Sequence, residues 1–244
     1  MLDKTIQFRS IDSTNLEAYR QREQNAGMNV LFVAEEQTAG KGQQGRTWES
    51  QAGKGLWMSL FLGRPESLMA DLQLLSLFTG LIVQQSISTL TGVDTQLKWP
   101  NDIMIGPKKC GGILTEIQWK GSEAQSAIIG MGINLTHTTS EFSAEIQKVS
   151  TSLALSGANN LEKDHLMNSI AQEFFARYPL LENASTLVDL WNQHAWKLDE
   201  VVDWQQGEEK ISGLFRGIDE NGSARLQVEN ELMSFSSGEI RWIY

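Results

Sequence analysis

The sequence predicts an α+β fold in two parts. A β-sheet with helices packed on it runs through about residue 198, and a small β-barrel follows over residues 199–244. Three observations carry this expectation. Apolar runs of strand length alternate with longer segments of helical periodicity in the first part. From Asp199 onward the pattern changes to short alternating runs separated by turn residues. The 244 residues, 41% of them hydrophobic, suffice for one large and one small domain with a substantial core.

In chain order, "TIQFRSI" (5–11) alternates like a strand. Thr14-Asn15-Leu16-Glu17 reads as a capping box that opens a helix through about Asn25. "NVLFVAEEQ" (29–37) suits a buried strand and feeds into a glycine-rich loop; "GLWMSLFLG" (55–63) is the next strand. Leu68, Leu72, Leu75, Leu81, Ile82 and Ile87 follow helical periodicity and predict a long helix over 67–91. Residues 95–119 read as short strands joined by a Gly-Pro-Lys-Lys turn, and 124–135 as one more strand. Helices are expected near 163–182 and 185–197. In the last part "VVDWQ", "ISGLFRGI", "SARLQV" and "MSFSSGEIRWI" are strand candidates, with Glu-Asn-Gly at 220–222 as a turn. There is no internal repeat and no low-complexity tract.

Composition narrows the function. The formal charge is −10 and the pI near 4.8, which argues against a protein whose main task is gripping nucleic acid, since each phosphate contact needs a cation. Apolar stretches such as "LLSLFTGLIV" (74–83) are too short to span a bilayer, so no membrane role is expected. "MLDKTIQFRS" has no apolar core of a secretory signal. Cys110 is the single cysteine, which rules out an internal disulfide and a cysteine-based zinc cluster, and a reducing cytoplasm is the simplest location.

The most informative stretch is "QTAGKGQQGRTWES" (37–50). Gly40-x4-Gly45-Arg46-Thr47 misses a P-loop by a single residue, with arginine where lysine should stand. A P-loop must also pass directly into a helix, whereas Thr47 leads through Gly53 and Gly55 to a strand, so that reading fails. What remains is a glycine-punctuated loop whose open backbone N–H groups, with Lys41 and Arg46, could hold a phosphate or carboxylate, or an ordinary surface hairpin. Three further segments favour a ligand. "LKWPNDIM" (97–104) sets Lys98 and Asp102 either side of Trp-Pro. "KKCGGILTE" (108–116) sets Lys109 ahead of Gly111-Gly112. "IGMGINL" (129–135) places two glycines and Asn134 in a buried strand, where glycine suggests a close approach.

"STN", "EEQTAGKGQQGRTW", "KWPNDI", "KKCGGILTE" and "GMGINL", in this order, resemble the catalytic domain of biotin–protein ligases, and "FRGIDENGSARLQ…GEIRW" resembles their small C-terminal SH3-like barrel. The resemblance covers nearly the whole chain and implies a class II synthetase-like mixed sheet. It places the chain with ligases lacking an N-terminal DNA-binding domain. The implied reaction uses ATP and Mg²⁺ to convert biotin to biotinyl-5′-AMP, then transfers biotin to a lysine of a biotin carboxyl carrier protein or domain. Homodimerisation is possible by analogy, and the resemblance assigns no metal ligands.

Screening an anionic nucleophile against a polyanion needs cations, for which Lys41, Arg46, Lys98 and Lys109 are candidates; Asp102 is the candidate acceptor for the incoming lysine's proton. Lys109, Arg46, Asp102 and Lys98 are therefore the implied catalytic set. By motif, biotin would meet Ser13, Thr14, Asn15, Gln37, Gly40, Lys41, Gly42, Gln43, Lys109, Gly111, Gly112 and Gly132. The nucleotide would meet Lys41, Gln43, Arg46, Thr47, Trp48, Lys98, Asn101, Lys109 and Asn134. One departure stands out: Gln43 replaces an arginine usual in the family's loop, losing charge and a bidentate fork.

Blander readings apply elsewhere. His137, His165 and His194 are expected to be structural, Cys110 a buried thiol, and Trp57, Trp119, Trp191, Trp196, Trp204 and Trp242 packing residues. Asp102 could simply cap a turn, and Glu208-Glu209 reads as a solvated turn. The rival functions are a lipoate or octanoate ligase or transferase of related fold, a biotin-sensing DNA-binding regulator, and a catalytically weakened binding protein.

Overall fold

The structure, a computed structural model, describes residues 1–63, 72–158 and 161–242. Strands β1 (Lys4–Phe8), β2 (Asn29–Ala34), β3 (Gly55–Leu62), β4 (Gln96–Lys98), β5 (Asp102–Ile105), β6 (Lys108–Lys120) and β7 (Glu123–Asn134) form one sheet in the order β1-β2-β3-β7-β6-β5-β4. The β1–β2 pair is parallel and every other pair antiparallel, so the sheet is mixed. β2 and β3 are buried along their whole length, which is why both read as unbroken apolar runs.

Alternate residues of these strands face two different layers. Val30, Phe32, Phe61 and Ile128 pack under Ala18 of helix α1 (Thr14–Arg20). Leu31, Val33, Leu60 and Ile129 join the larger core with α2 (Leu72–Thr91) and α3 (Lys163–Arg177). Phe78 of α2 meets Phe174 and Tyr178 edge-on, at centroid distances of 5.2 and 6.1 Å.

Local chemistry moves several element boundaries. The α1 N-cap is Ser13, whose hydroxyl accepts from Leu16 N; Thr14 is helical instead, because its own hydroxyl is engaged by Ser59 and Gln37 across the sheet. The helix stops at Arg20 rather than Asn25, and turns lead to Gly27 at φ 73°. The expected start of α2 at 67–71 lies outside the described residues. By length and composition Leu74–Thr91, mean hydropathy 1.3, is apolar enough to cross a bilayer, contrary to the estimate from its interrupted run; 67% of that window is buried inside the fold, where it serves as a core helix.

The helix expected over 163–182 is α-helical to Arg177 and tightens to a 3₁₀ turn over Tyr178–Glu182, which contains Pro179. Helix α4 (Ala184–Asn192) ends before 197, because residues 194–196 pair with β4: Leu97 N donates to His194 O and Trp196 N to Leu97 O, both at 2.8 Å.

β8 (Val201–Gln206), β9 (Glu209–Ile218), β10 (Ala224–Val228), β11 (Glu231–Phe235) and β12 (Glu239–Trp242) form a five-stranded antiparallel sheet in the order β11-β10-β9-β8-β12. Among the described residues β11 and β12 do not pair, so the barrel is not closed. Trp99 Nε1 donates to Gly222 O at 2.9 Å, and Asn192 exchanges hydrogen bonds with Ile218, so this sheet is anchored to the first. Trp57, Trp191, Trp196 and Trp204 are buried as expected, but Trp119, near the β6–β7 turn, is 57% exposed and is no packing residue; the Trp242 side chain lies outside the described positions.

Candidate active site

The four sequence segments converge on the α1 face of the sheet. There, α1, the glycine loop, β4–β7, the 137–150 segment and β12 enclose a cavity of about 490 Å³. The loop closes on itself: Trp48 N donates to Gly40 O at 2.9 Å and Gly42 N to Arg46 O at 2.8 Å. Its tip turns through Gln44 and Gly45, both at positive φ (54° and 75°). The turn aims Arg46 and Trp48 back over the cavity rather than into a helix.

Two strands provide a flat floor. Gly112 and Gly132 pair directly across β6 and β7, and Trp48 lies on them: a Cβ on Gly132 would come within 2.6 Å of Trp48 Nε1. Lys109 Nζ stands 5.0 Å from the centroid of the Trp48 ring, in the range of a cation–π contact.

One end of the cavity is polar but uncharged. Thr14 N donates to Gln37 Oε1 at 2.9 Å, and Gln37 Nε2 donates to Ser50 Oγ at 2.8 Å. Ser13, Thr14 and Asn15 are buried there at the start of α1. The other end is ionic. Lys98 and Asp102 face each other across β4 and β5; Asp102 Oδ1 lies 2.5 Å from Lys109 Nζ and Oδ2 3.8 Å from Lys98 Nζ. Asp102 is thus a partner of two lysines and not the turn cap its position allowed.

Of the residues expected at the site, Ser13, Thr14, Asn15, Gln37, Lys41, Gly42, Gln43, Arg46, Thr47, Trp48, Lys98, Asn101, Asp102, Lys109, Gly112, Gly132 and Asn134 line this cavity. Gly40 and Gly111 stand behind the wall. Gly40 is packed under Trp48 O and Ser50 Oγ, and Gly111 against Gly132 O and Ile103. Asn101 and Asn134 also brace the backbone, donating to Ile113 O at 2.7 Å and Thr151 O at 3.0 Å.

Sequence reasoning missed the contribution of the second sheet. Glu239 of β12 enters the ionic end, with Oε2 3.0 Å from Arg46 Nη2 and Oε1 3.4 Å from Lys98 Nζ. Burial alone would raise its carboxyl, but Lys98, Arg46 and Arg241 outweigh that and hold it at about 2. His137, expected to be structural, is buried and stacked on Phe142 at 4.7 Å, yet forms part of the cavity wall; burial pushes its imidazole down. His165 is exposed and His194 half-buried, both away from the cavity wall. Cys110 is buried in β6, its thiol pushed up to about 12 by burial, and is inert.

A neutral hydrogen-bonding end joined to a cation-rich end, beside a tryptophan, suits a ligand with an uncharged polar group at one end and negative charge at the other. The comparisons with known proteins agree. Residues 7–134 match the biotin/lipoate A/B protein ligase family, and residues 201–241 the biotin protein ligase C-terminal domain. The chain is 33% identical over 232 residues to the bifunctional ligase/repressor BirA of Bacillus spizizenii, covering 94% of this chain and 71% of that one. It is 28% identical over 235 residues to the biotin–[acetyl-CoA-carboxylase] ligase of Mycobacterium tuberculosis, covering 93% and 85%. The biotin protein ligase from Aquifex aeolicus in complex with biotin and ATP superposes with a TM-score of 0.83 at 29% identity, over 98% of each chain. The chain belongs to the biotin protein ligase family.

Proposed function

We propose that this cavity makes biotinyl-5′-AMP from biotin and ATP and then passes the biotinyl group to a lysine of a biotin carboxyl carrier protein or domain. The observation that carries the reading is the division of one cavity into an uncharged end at Thr14 and Gln37 and an ionic end at Arg46, Lys98 and Lys109. The uncharged end offers hydrogen-bond donors and acceptors to biotin's ureido ring. The valeryl chain then runs beside the Trp48 ring that covers Gly112 and Gly132, and its carboxylate reaches Lys109.

In the first step a carboxylate oxygen attacks the α-phosphorus, the bond from that phosphorus to the bridging oxygen breaks, and pyrophosphate leaves. Arg46, Lys98, Lys41 and Lys109 offset the charge that gathers as the two anions meet. In the second step the acceptor lysine nitrogen attacks the acyl carbon, the acyl–phosphate C–O bond breaks and AMP leaves. Asp102, between Lys98 and Lys109, takes or orients the proton released by the amine.

Mg²⁺ neutralises phosphate charge in such chemistry. Among the described residues no group of three or more His, Cys, Asp or Glu could hold it, and Asp102 and Glu239 are paired with lysines. That donor set fits an ion carried mainly by phosphate oxygens and water. A cytoplasmic setting is in keeping with the one cysteine, buried and unpaired.

The test is biotin-dependent pyrophosphate release from Mg-ATP, with mass spectrometry for biotinyl-adenylate and with octanoate and lipoate in parallel. Adenylate with biotin alone is expected, followed by labelling of a carrier-domain lysine. Activation of octanoate or lipoate in place of biotin would overturn the substrate assignment and leave the fold untouched.

A further inference from the structure

A chain of buried side chains runs from the cavity through the sheet face to a carboxylate that does not line the cavity. Glu116, on β6, accepts from Asn15 Nδ2 at 2.7 Å. Ser59, on β3 and fully buried, donates to Asn15 Oδ1 at 2.5 Å. Ser59 Oγ then lies 2.6 Å from Thr14 Oγ1. Room for this chain is built in: a Cβ on Gly130 would stand 2.4 Å from Asn15 Oδ1.

Counting protons along the chain fixes every direction. An ionised carboxylate only accepts, so Glu116 forces the amide nitrogen of Asn15 toward itself and the amide oxygen toward Ser59. Ser59 has one hydroxyl proton and it goes to that oxygen. Thr14 must therefore be the donor in the 2.6 Å contact with Ser59, in preference to its longer 3.1 Å approach to Gln37 Oε1. The hydroxyl of Thr14, at the cavity wall, is left with lone pairs only. Gln37, with its oxygen taken by Thr14 N and one amide proton given to Ser50, keeps a second N–H to offer.

We propose that Glu116 is a positioning residue for ligand specificity: through Asn15 and Ser59 it holds the Thr14 proton inward, so that the cavity presents an acceptor at Thr14 and demands an N–H from its ligand. The inference rests on the biotin reading above and assigns the neutral end a polarity, N–H toward Thr14 and C=O toward Gln37. A ligand that lacks the N–H meets two opposed lone pairs in a water-poor site.

The test compares equilibrium binding of biotin with that of an analogue whose ring is a cyclic carbamate, one ureido N–H being replaced by oxygen. Both isomers are used, with wild type, Glu116→Gln, Glu116→Ala and Glu116→Lys. In wild type one isomer is expected to bind more weakly than biotin by about tenfold to a hundredfold, as for a buried acceptor left without a partner. Glu116→Gln, which can still accept, keeps most of that ratio. Glu116→Lys, which only donates, turns the Asn15 amide round, frees the Thr14 proton and brings the ratio to within about threefold. Should Glu116→Lys fail to fold, Glu116→Ala must lower the ratio as well, because nothing then orients the amide. Variants that bind biotin and keep the wild-type ratio would overturn the proposal. Wild type that binds neither compound would overturn the biotin reading itself, a result distinct from an unchanged ratio.

Discussion

Gln43 lies on the cavity wall at the loop position where the resemblance leads one to expect arginine. Glutamine offers hydrogen bonds without the charge or the fork of a guanidinium, so on the proposed reading an adenylate bound there would be held less firmly. Gln43→Arg is therefore expected to slow release of biotinyl-adenylate by about tenfold, the worth of one added charge-assisted bond. Rapid dilution of preformed complex measures it, and equal rates would contradict the argument. Lys109 makes a complementary case. It is paired with Asp102 and stands over Trp48, so Lys109→Gln should lower biotin-dependent pyrophosphate release by about a hundredfold or more while the melting temperature stays near wild type. Both residues were legible in the sequence because each sits inside a compact motif. Glu239 was not. Its partners Arg46 and Lys98 are far off in the chain, and a single glutamate in a short alternating run carries no signal that it will leave its own sheet and enter another cavity.

At the scale of elements, β7 and α2 do opposite work. On β7, Gly132 leaves the strand flat enough for Trp48 to lie on it, and a methyl group there would meet the indole at 2.6 Å. Gly132→Ala should push Trp48 off the floor, raise the KM for ATP several-fold and shift tryptophan emission, with little loss of stability; an unchanged KM and emission would show that the ring has another seat. α2 carries stability. Phe78 is fully buried against Phe174 and Tyr178, and Phe78→Ala should cost about 3–5 kcal/mol in denaturant unfolding while leaving biotin affinity unaltered below the transition. Periodicity made α2 and the buried strands readable, since each buries apolar surface at its own repeat. Boundaries set by one long-range bond were not readable. Ser13 displaced Thr14 as the cap because Ser59 holds Thr14, and α4 stops early because Leu97 captures residues 194–196. The open β11–β12 edge belongs to the same class, since strand pattern specifies pairing faces and not closure.

For the whole molecule, charge acts at two ranges. The net −10 spreads repulsion over the surface, and acidification toward the pI near 4.8 relieves it. Against this runs one local term that ties the second sheet to the first: Glu239 bound to Arg46 and Lys98. Its carboxyl is held at about 2 in the folded protein, below the ordinary 4.5. A depressed carboxyl stabilises the fold while it is ionised. Its contribution is therefore complete above about pH 4.5 and is lost as pH falls through about 2. Glu141, held at about 2 chiefly by Lys54, and Asp12 and Asp203, both lowered, act in the same direction, so the acid limb of the wild-type curve cannot be assigned to one residue. The difference between two proteins can. Glu239→Gln has no proton to gain in that window, so its melting temperature should fall less steeply than wild type's between about pH 4.5 and 2, the two curves converging at the acid end. Parallel curves across the window would show that the Glu239 bridge contributes nothing to holding the sheets together, and that its role is confined to the cations of the cavity.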